Sequence, residues 1–205
     1  MDIREVYDNI ANDFDRTRFQ VWPVIKKFID SLRSECYLAD IGCGNGKNID
    51  LSRKDINYKG MDLSNAFVKI CIDKGLDVIQ GNILNIPFKN NQFDNSMSIA
   101  VIHHLSLRSE RVKAISELLR ITKKDGLVLL YVWAFLQPEK SKRKFKSYDE
   151  MVPYKTLDGK IYYRYYHLYQ SGELESEIND VKEYTSEIVE SGYEYGNYYV
   201  IIKKS

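Results

Sequence analysis

The chain has little of what would mark several common protein classes. Its three cysteines, Cys36, Cys43 and Cys71, are scattered and odd in number, and no Cys-x-x-Cys pair occurs. Neither a disulfide framework nor a metal site is therefore expected, and a reducing, cytoplasmic setting fits, with the nucleus as the second place to look. The longest apolar run, Leu127 to Leu136, is too short to span a bilayer, so no membrane partner is expected. The opening residues, from Met1 to Ile10, are charged and lack the apolar core of a secretory signal. Net charge is also scarce: 30 basic against 29 acidic side chains leave +1, which argues against nucleic-acid binding through a global basic field. A local exception is the run Lys140-Ser141-Lys142-Arg143-Lys144-Phe145-Lys146, whose simplest reading is a solvated loop. What remains is a globular composition, 44% hydrophobic and 29% charged, over 205 residues, enough for one good core and too little for two ordinary domains.

Hydrophobic spacing supplies the architecture. Ile3, Val6, Tyr7, Ile10, Ala11 and Phe14 recur at helical intervals. A second helix is expected to start at Trp22-Pro23, with proline in its first turn. From Tyr37 onward short apolar strands alternate with helices: strands at 37–41, 58–63, 78–79, 93–101 and 127–134, with helices between, one of them N-capped by Ser64. Residues 135–160 break the rhythm and read as a long, polar, basic loop. An aromatic run, 161–169, and a helix from about Gly172 follow. Two closing strands, near 184–195 and 198–204, are joined by Gly196-Asn197 as an antiparallel hairpin.

The most informative segment is Asp40-Ile41-Gly42-Cys43-Gly44-Asn45-Gly46-Lys47, directly after a strand. Glycines at alternate positions let a ligand lie against the backbone. Asp62, at the end of the next strand, is placed to accept two ribose hydroxyls. The third glycine comes one residue too early for a dinucleotide fingerprint, and Asp40 would repel a pyrophosphate while favouring an ammonium group. This pattern resembles the class I S-adenosylmethionine-dependent methyltransferases. The resemblance implies an α/β, Rossmann-like fold with a mostly parallel seven-stranded sheet, helices on both faces and a C-terminal antiparallel hairpin. It implies S-adenosylmethionine as cofactor, with S-adenosylhomocysteine as product, held by Asp40, Gly42, Gly44, Gly46, Asp62, Asn82, Ile83 and Ala100. Asn82 departs from the acidic residue usual there; its side-chain carbonyl can still accept a hydrogen bond from adenine.

Four further segments narrow the resemblance: Arg16-Thr17-Arg18-Phe19-Gln20-Val21-Trp22-Pro23, Ser98-Ile99-Ala100-Val101-Ile102-His103-His104, Tyr131-Val132-Trp133-Ala134, and Tyr163-Arg164-Tyr165-Tyr166-His167-Leu168-Tyr169. Together they resemble the eukaryotic tRNA wobble-uridine (5-carboxymethyluridine-34) carboxyl methyltransferases, from about Val6 to Ile202. The 135–160 segment is shorter than the insert common in that family, which bears on how the tRNA body is gripped. The resemblance implies methylation of the side-chain carboxylate at position 34 of tRNA, a tRNA anticodon stem-loop as partner, and a heterodimer with a small zinc-binding activator subunit.

A carboxylate is already ionised at neutral pH, so the reaction needs no strict general base. It needs cationic or hydrogen-bonding hosts, for which Arg18, His103, His104, Arg164 and His167 are the candidates. A stacking platform for the uracil would come from Trp22, Trp133 or Tyr166, with Arg16 as a further substrate contact. Two other readings share the donor motif: a small-molecule O- or C-methyltransferase, which would not need Arg18, Arg164 or the basic run, and a non-catalytic scaffold, which would not need an intact Asp40/Asp62 set.

Overall fold

A computed structural model describes residues 2–18, 20–50 and 53–205. Phe19, in the run from Arg16 to Pro23, lies outside the described residues. Two helices, α1 (Ile3–Thr17) and α2 (Pro23–Ser31), precede the alternating body. The body runs β1 (Tyr37–Ile41), α3 (Lys47–Asp50), β2 (Asn57–Asp62), α4 (Asn65–Asp73), β3 (Val78–Gln80), β4 (Asn95–Ile99), α5 (Arg108–Ile121) and β5 (Leu127–Trp133). After it come β6 (Asp149–Lys155), β7 (Ile161–His167), α6 (Glu173–Asn179), β8 (Ser186–Glu194) and β9 (Asn197–Lys204).

The main sheet has the strand order β3-β2-β1-β4-β5-β9-β8; β9 runs antiparallel to β5 and pairs with β8 as the expected terminal hairpin. The fold is the class I methyltransferase arrangement. The order reverses between β1 and β4, and ligands in open α/β sheets bind beyond the carboxyl ends of the strands at such a point. Both faces of the sheet are covered. One core gathers Ile41, Phe93, Leu130 and Val132 with Leu118 of α5 and Leu174 of α6; the other gathers Met97 and Tyr131 with Ile25 and Phe28 of α2. Burial on both faces explains why β4 and β5 read as continuous apolar or small-residue runs rather than alternating ones.

The 135–160 segment is not all loop. Its second half is β6, which pairs with the aromatic run as a separate two-stranded antiparallel sheet. The sequence disguised it. Pro153 argues against a strand in an ordinary sheet, but a free-standing hairpin has two edges and tolerates it. The hairpin lies against α1 and leaves Met151, Ile161 and Tyr163 exposed while burying Tyr154, Arg164 and Tyr166.

α1 is tied down across the mouth of the sheet by its own polar side chains. Asp8 accepts from Ser64 Oγ at 2.6 Å and from the Ala66 amide at 3.1 Å, so α1 helps cap α4. Asp15 accepts from Asn45 Nδ2 at 2.9 Å and from Lys74 Nζ at 2.7 Å, joining α1 to the glycine loop.

Candidate functional site

A cavity of about 570 Å³ opens at the carboxyl ends of β1, β2 and β4, roofed by α1 and walled on one side by β7. That is the size range of a small-ligand site. Its two ends differ in charge, and each is built from different parts of the chain.

At the first end the glycine loop leaves β1. Gly42, Gly44 and Gly46 all have positive φ. At Gly44 a Cβ would meet nothing within 4 Å, so the backbone there faces open cavity. Gly46 serves another purpose than the ligand contact expected of it: a Cβ there would lie 2.4 Å from Leu76 Cδ1 and 3.0 Å from Cys71 Sγ, and the residue is not on the cavity wall. It lets the loop pack on α4. Asp62 is on the wall, its two oxygens accepting from the Gly44 amide at 2.8 Å and the Ser64 amide at 2.9 Å. Burial pushes its carboxyl up to about 6 despite those bonds. Asp40 stands at the same end of the sheet, as the parallel register of β1 and β2 requires, but a layer behind the wall formed by Lys47 and Asn48. It is fully buried and neither oxygen has a hydrogen-bond partner of good geometry. Burial pushes it up to about 7; the Asn48 side chain pulls it down, Asp62 raises it, and Lys47 lowers it again.

Asn82, Ile83 and Ala100 also line this end, as expected. Asn82 Oδ1 accepts the Leu84 amide at 2.9 Å, closing a local turn, which leaves its second lone pair for another donor. Ala100 has φ 61°, a strained conformation for a residue with a Cβ, at the point where β4 turns toward Val101.

The second end is built from α1, β7 and the short 3-10 turn Ile102–His104. Arg164 is its centre. The side chain is 7% exposed, forms no salt bridge among the described residues, and has an unpartnered Nε. Its guanidinium carbon lies 5.2 Å from the Tyr166 ring centroid, 5.3 Å from Tyr154 and 6.0 Å from Tyr7. Aromatic faces solvate a cation in part. They do not neutralise it.

The histidines act differently from the expectation that they host a carboxylate. His104 lies on the wall with both ring nitrogens engaged: Nδ1 donates to the Tyr165 carbonyl at 2.8 Å, so Nε2 must accept from Tyr7 Oη at 2.7 Å. Burial pushes it down to about 3, so it is neutral and serves as a clasp between α1 and β7. His103 is fully buried and is not on the wall; its Nδ1 accepts the Trp133 amide at 3.2 Å, and burial holds it well below the ordinary range. His167 is outside the cavity altogether, bonded to Glu173 at 2.7 Å and Asp149 at 3.0 Å. Burial opposes its charge, yet the two carboxylates raise its pKa. Arg16 is on the exposed side of α1 and does not reach the cavity. Arg18 and both tryptophans do.

The expected platforms are partly covered. Tyr166 has His103 stacked on it at 4.6 Å, Trp133 tilted against it at 4.6 Å and the Arg164 guanidinium over its ring at 5.2 Å, so little of its face is open. Trp22 carries Lys47 over its ring at 4.1 Å, and Trp133 carries Arg143 at 4.3 Å. Arg143 is the residue that sequence reasoning missed most clearly. It belongs to the basic run read as solvated loop, and it lines the cavity. Tyr7, Asn45 and Lys47 are also wall residues. Tyr7 was hidden within the apolar stripe of α1.

Comparison with known proteins agrees with this geometry. A family model described as a methyltransferase domain matches residues 39–130, the stretch carrying the glycine loop, Asp62 and β4. The tRNA (carboxymethyluridine(34)-5-O)-methyltransferase of Schizosaccharomyces pombe is 37% identical, over 99% of this chain and 96% of its own. The chain belongs to that family. The Arabidopsis thaliana protein of the same name is 43% identical over 68% of this chain, which spans 34% of the plant protein's length. Among solved structures, a chain of the complex between the Haloferax volcanii Trm112 methyltransferase activator and a methyltransferase superposes with a TM-score of 0.72 at 13% identity, covering 98% of this chain and 97% of that one.

S-adenosylmethionine is the methyl donor of this fold, and the residues at the first end fit it. Asp40, fully buried with unpartnered oxygens, does not line the cavity as expected but sits a layer behind a loop whose Gly44 backbone is open to it, and from there it favours a ligand bearing an ammonium and a sulfonium. Asp62 retains free lone pairs for ribose hydroxyls, and Asn82 with Ile83 borders the space beyond.

Proposed function

We propose that this chain methylates the carboxylate of 5-carboxymethyluridine at the tRNA wobble position, giving the methyl ester. The observation that carries the reading is Arg164, a buried guanidinium without an acidic partner on the wall of the donor cavity. A buried charge is costly unless paired, and an arginine pairs best with a planar carboxylate. A substrate carboxylate supplies the missing partner. The curated relatives are named for this reaction, and the small-molecule and scaffold readings leave a buried, unpaired Arg164 unexplained.

When bound, S-adenosylmethionine supplies an electrophilic methyl group on a sulfonium. The protein's part is to hold the acceptor in line with it. Arg164 orients one carboxylate oxygen and leaves the other free to attack. Tyr7, fixed by its bond to neutral His104, faces the same guanidinium and keeps it from swinging away. No side chain has to remove a proton, because the acceptor arrives ionised. This agrees with His103 and His104, which burial keeps neutral and which are bonded to the backbone of neighbouring elements. Positive and negative charge cancel as the ester forms, so a site that excludes water favours the reaction, and the roof of α1 with the Tyr7, Phe14 and Phe67 rings provides that exclusion.

The tRNA anticodon stem-loop is the partner this reading requires. A small zinc-binding activator subunit is proposed as a second partner, supported by the fold likeness to a methyltransferase chain solved with an activator.

The test is to incubate the protein, alone and with a candidate activator, with labelled donor and tRNA from cells lacking the modification. Label in the wobble nucleoside that leaves as methanol under mild base is the expected result. Base-stable label would assign methylation to nitrogen or carbon and overturn the carboxylate reading.

A further inference from the structure

A second cavity of about 250 Å³ adjoins the first and shares four wall residues with it: Arg18, Trp133, Arg143 and Arg164. Its wall adds Thr17 and Lys155, with Val152, Pro153 and Tyr154 of β6. Three arginines and a lysine meet there, and no described residue lining it is acidic. In a chain of net charge +1, four cations on one small hollow stand far from the average surface. The side chains come from three distant segments: the end of α1, the basic 140–146 run, and the β6–β7 hairpin. Arg143 is held in place by the Trp133 ring. Although Arg143 is exposed, partial desolvation and then, beyond the offsetting Tyr166, the like charges of Arg18 and Arg164 lower its pKa. Such mutual repulsion is relieved by an anion. Arg164, whose Nε is buried and unpartnered, is a wall residue of both cavities.

One guanidinium is accounted for by the substrate carboxylate. The other three cations, Arg18, Arg143 and Lys155, are exposed and converge on the outer hollow with no acidic residue lining it, which favours a second negative group one cavity further from the donor. We infer that this hollow is a phosphate subsite, which takes a backbone phosphodiester flanking the modified nucleotide between Arg143, Lys155 and Arg18. This rests on the carboxylate reading above and extends it: the enzyme recognises its acceptor by two anions, the carboxymethyl group in the inner cavity and a phosphodiester in the outer one. The shared Trp133 wall places the base between them. Recognition of a nucleotide within a chain, rather than a free nucleoside, then follows from the site itself without a large basic surface.

The probe is an anticodon stem-loop bearing 5-carboxymethyluridine at position 34, made with all-phosphate linkages or with a single neutral methylphosphonate on its 5′ or its 3′ side. Binding is read by tryptophan fluorescence and turnover separately, with circular dichroism as the folding control. The expected result is that one of the two methylphosphonates weakens binding to the wild type by roughly 10- to 100-fold, the range for a charge-assisted contact. In Arg143→Ala plus Lys155→Ala the same neutral linkage causes no further loss, and the dependence of log affinity on log salt becomes shallower by about one unit per contact removed. Arg143→Lys with Lys155 retained is expected to keep part of the discrimination. A double variant that still loses as much affinity as the wild type on the neutral linkage would overturn the subsite and leave Arg143 as a support for Trp133. Binding that senses the linkage without any ester formation would instead refute the carboxylate reading while sparing the subsite.

Discussion

The two ends of the main cavity carry opposite charge and were built by opposite strategies. The donor end holds a fully buried carboxyl, Asp40, and a half-buried one, Asp62, on adjacent parallel strands. The acceptor end holds a buried arginine among tyrosines, delivered by a hairpin outside the main sheet. Each end is under-neutralised in the direction of the ligand it would take: anionic for a cationic donor, cationic for an anionic acceptor. The distance in sequence differs as well. The glycine loop and the ends of successive strands β2 to β4 make the donor end, whereas α1, the 3-10 turn, the 140–146 run and β7 must converge to make the other.

The sharpest way to break the comparison is at Arg164. Arg164→Ala is expected to lower kcat/KM for the modified stem-loop by about 30- to 5,000-fold, the effect of removing one partner from a buried charge pair, with donor affinity far less affected. Isothermal titration with S-adenosylhomocysteine beside steady-state kinetics separates the two. Parallel losses would erase the division between ends.

Asp40→Asn is the mirror experiment. Donor affinity should fall roughly 10- to 100-fold, although the side chain acts from behind Asn48 and Lys47. Its pH behaviour sharpens the case. Asp40 in the free fold is raised to about 7, so a cationic donor binds most tightly to the ionised form, and affinity should climb through the range below pH 7 and level off above it. The slope is at most about tenfold per pH unit for one proton. The substitution should remove that slope.

The same shift has a stability consequence. A carboxyl whose folded pKa lies above its unfolded value costs stability as pH rises between the two, here from about 4 to about 7, and the cost is constant above that window. Unliganded Asp40→Asn should therefore melt higher than wild type at pH 8, by several degrees (about 2–4 °C per kcal/mol for a domain of this size). The gap should shrink by pH 5, as differential scanning fluorimetry would show. A gap independent of pH would mean that Asp40 is not protonated in that range.

The smallest effect is expected from Tyr7→Phe. Loss of one neutral hydrogen bond to His104 should lower turnover by roughly 2- to 12-fold. A much larger loss would make the tyrosine hydroxyl a direct participant, and the acceptor end would then rest on more than Arg164.

The same contrast explains what was legible in the sequence. The donor end lies largely in one short stretch whose residue types are dictated by backbone geometry, so Gly44 and Asp62 on the wall could be read directly, while Asp40 was placed at the right end of the sheet but not behind the wall where it stands, and the alternation of strands with helices pointed to the sheet. Gly46 shows the limit: a glycine required for packing against Leu76 is indistinguishable in sequence from one required for a ligand. The acceptor end depends on which distant side chains meet. Arg164 stood out within its aromatic run, but Arg143 in a basic run carries no local sign that Trp133 lies beneath it. Paired histidines suggested chemistry, and only the structure reveals that both nitrogens of His104 are engaged and that His103 is buried off the cavity wall with its Nδ1 on the Trp133 amide. Strand β6 went unread because Pro153 and its exposed, alternating residues look like loop until β7 is beside them.

The central claim is that a buried arginine selects a negative charge on the acceptor. The most direct measurement compares binding of two stem-loops that differ only at the wobble side chain, the 5-carboxymethyl acid and its neutral 5-carbamoylmethyl amide, in wild type, Arg164→Ala and Asp40→Asn. The acid should bind better than the amide in wild type and in Asp40→Asn, and the preference should vanish in Arg164→Ala. A preference that survives the loss of Arg164 would contradict the account.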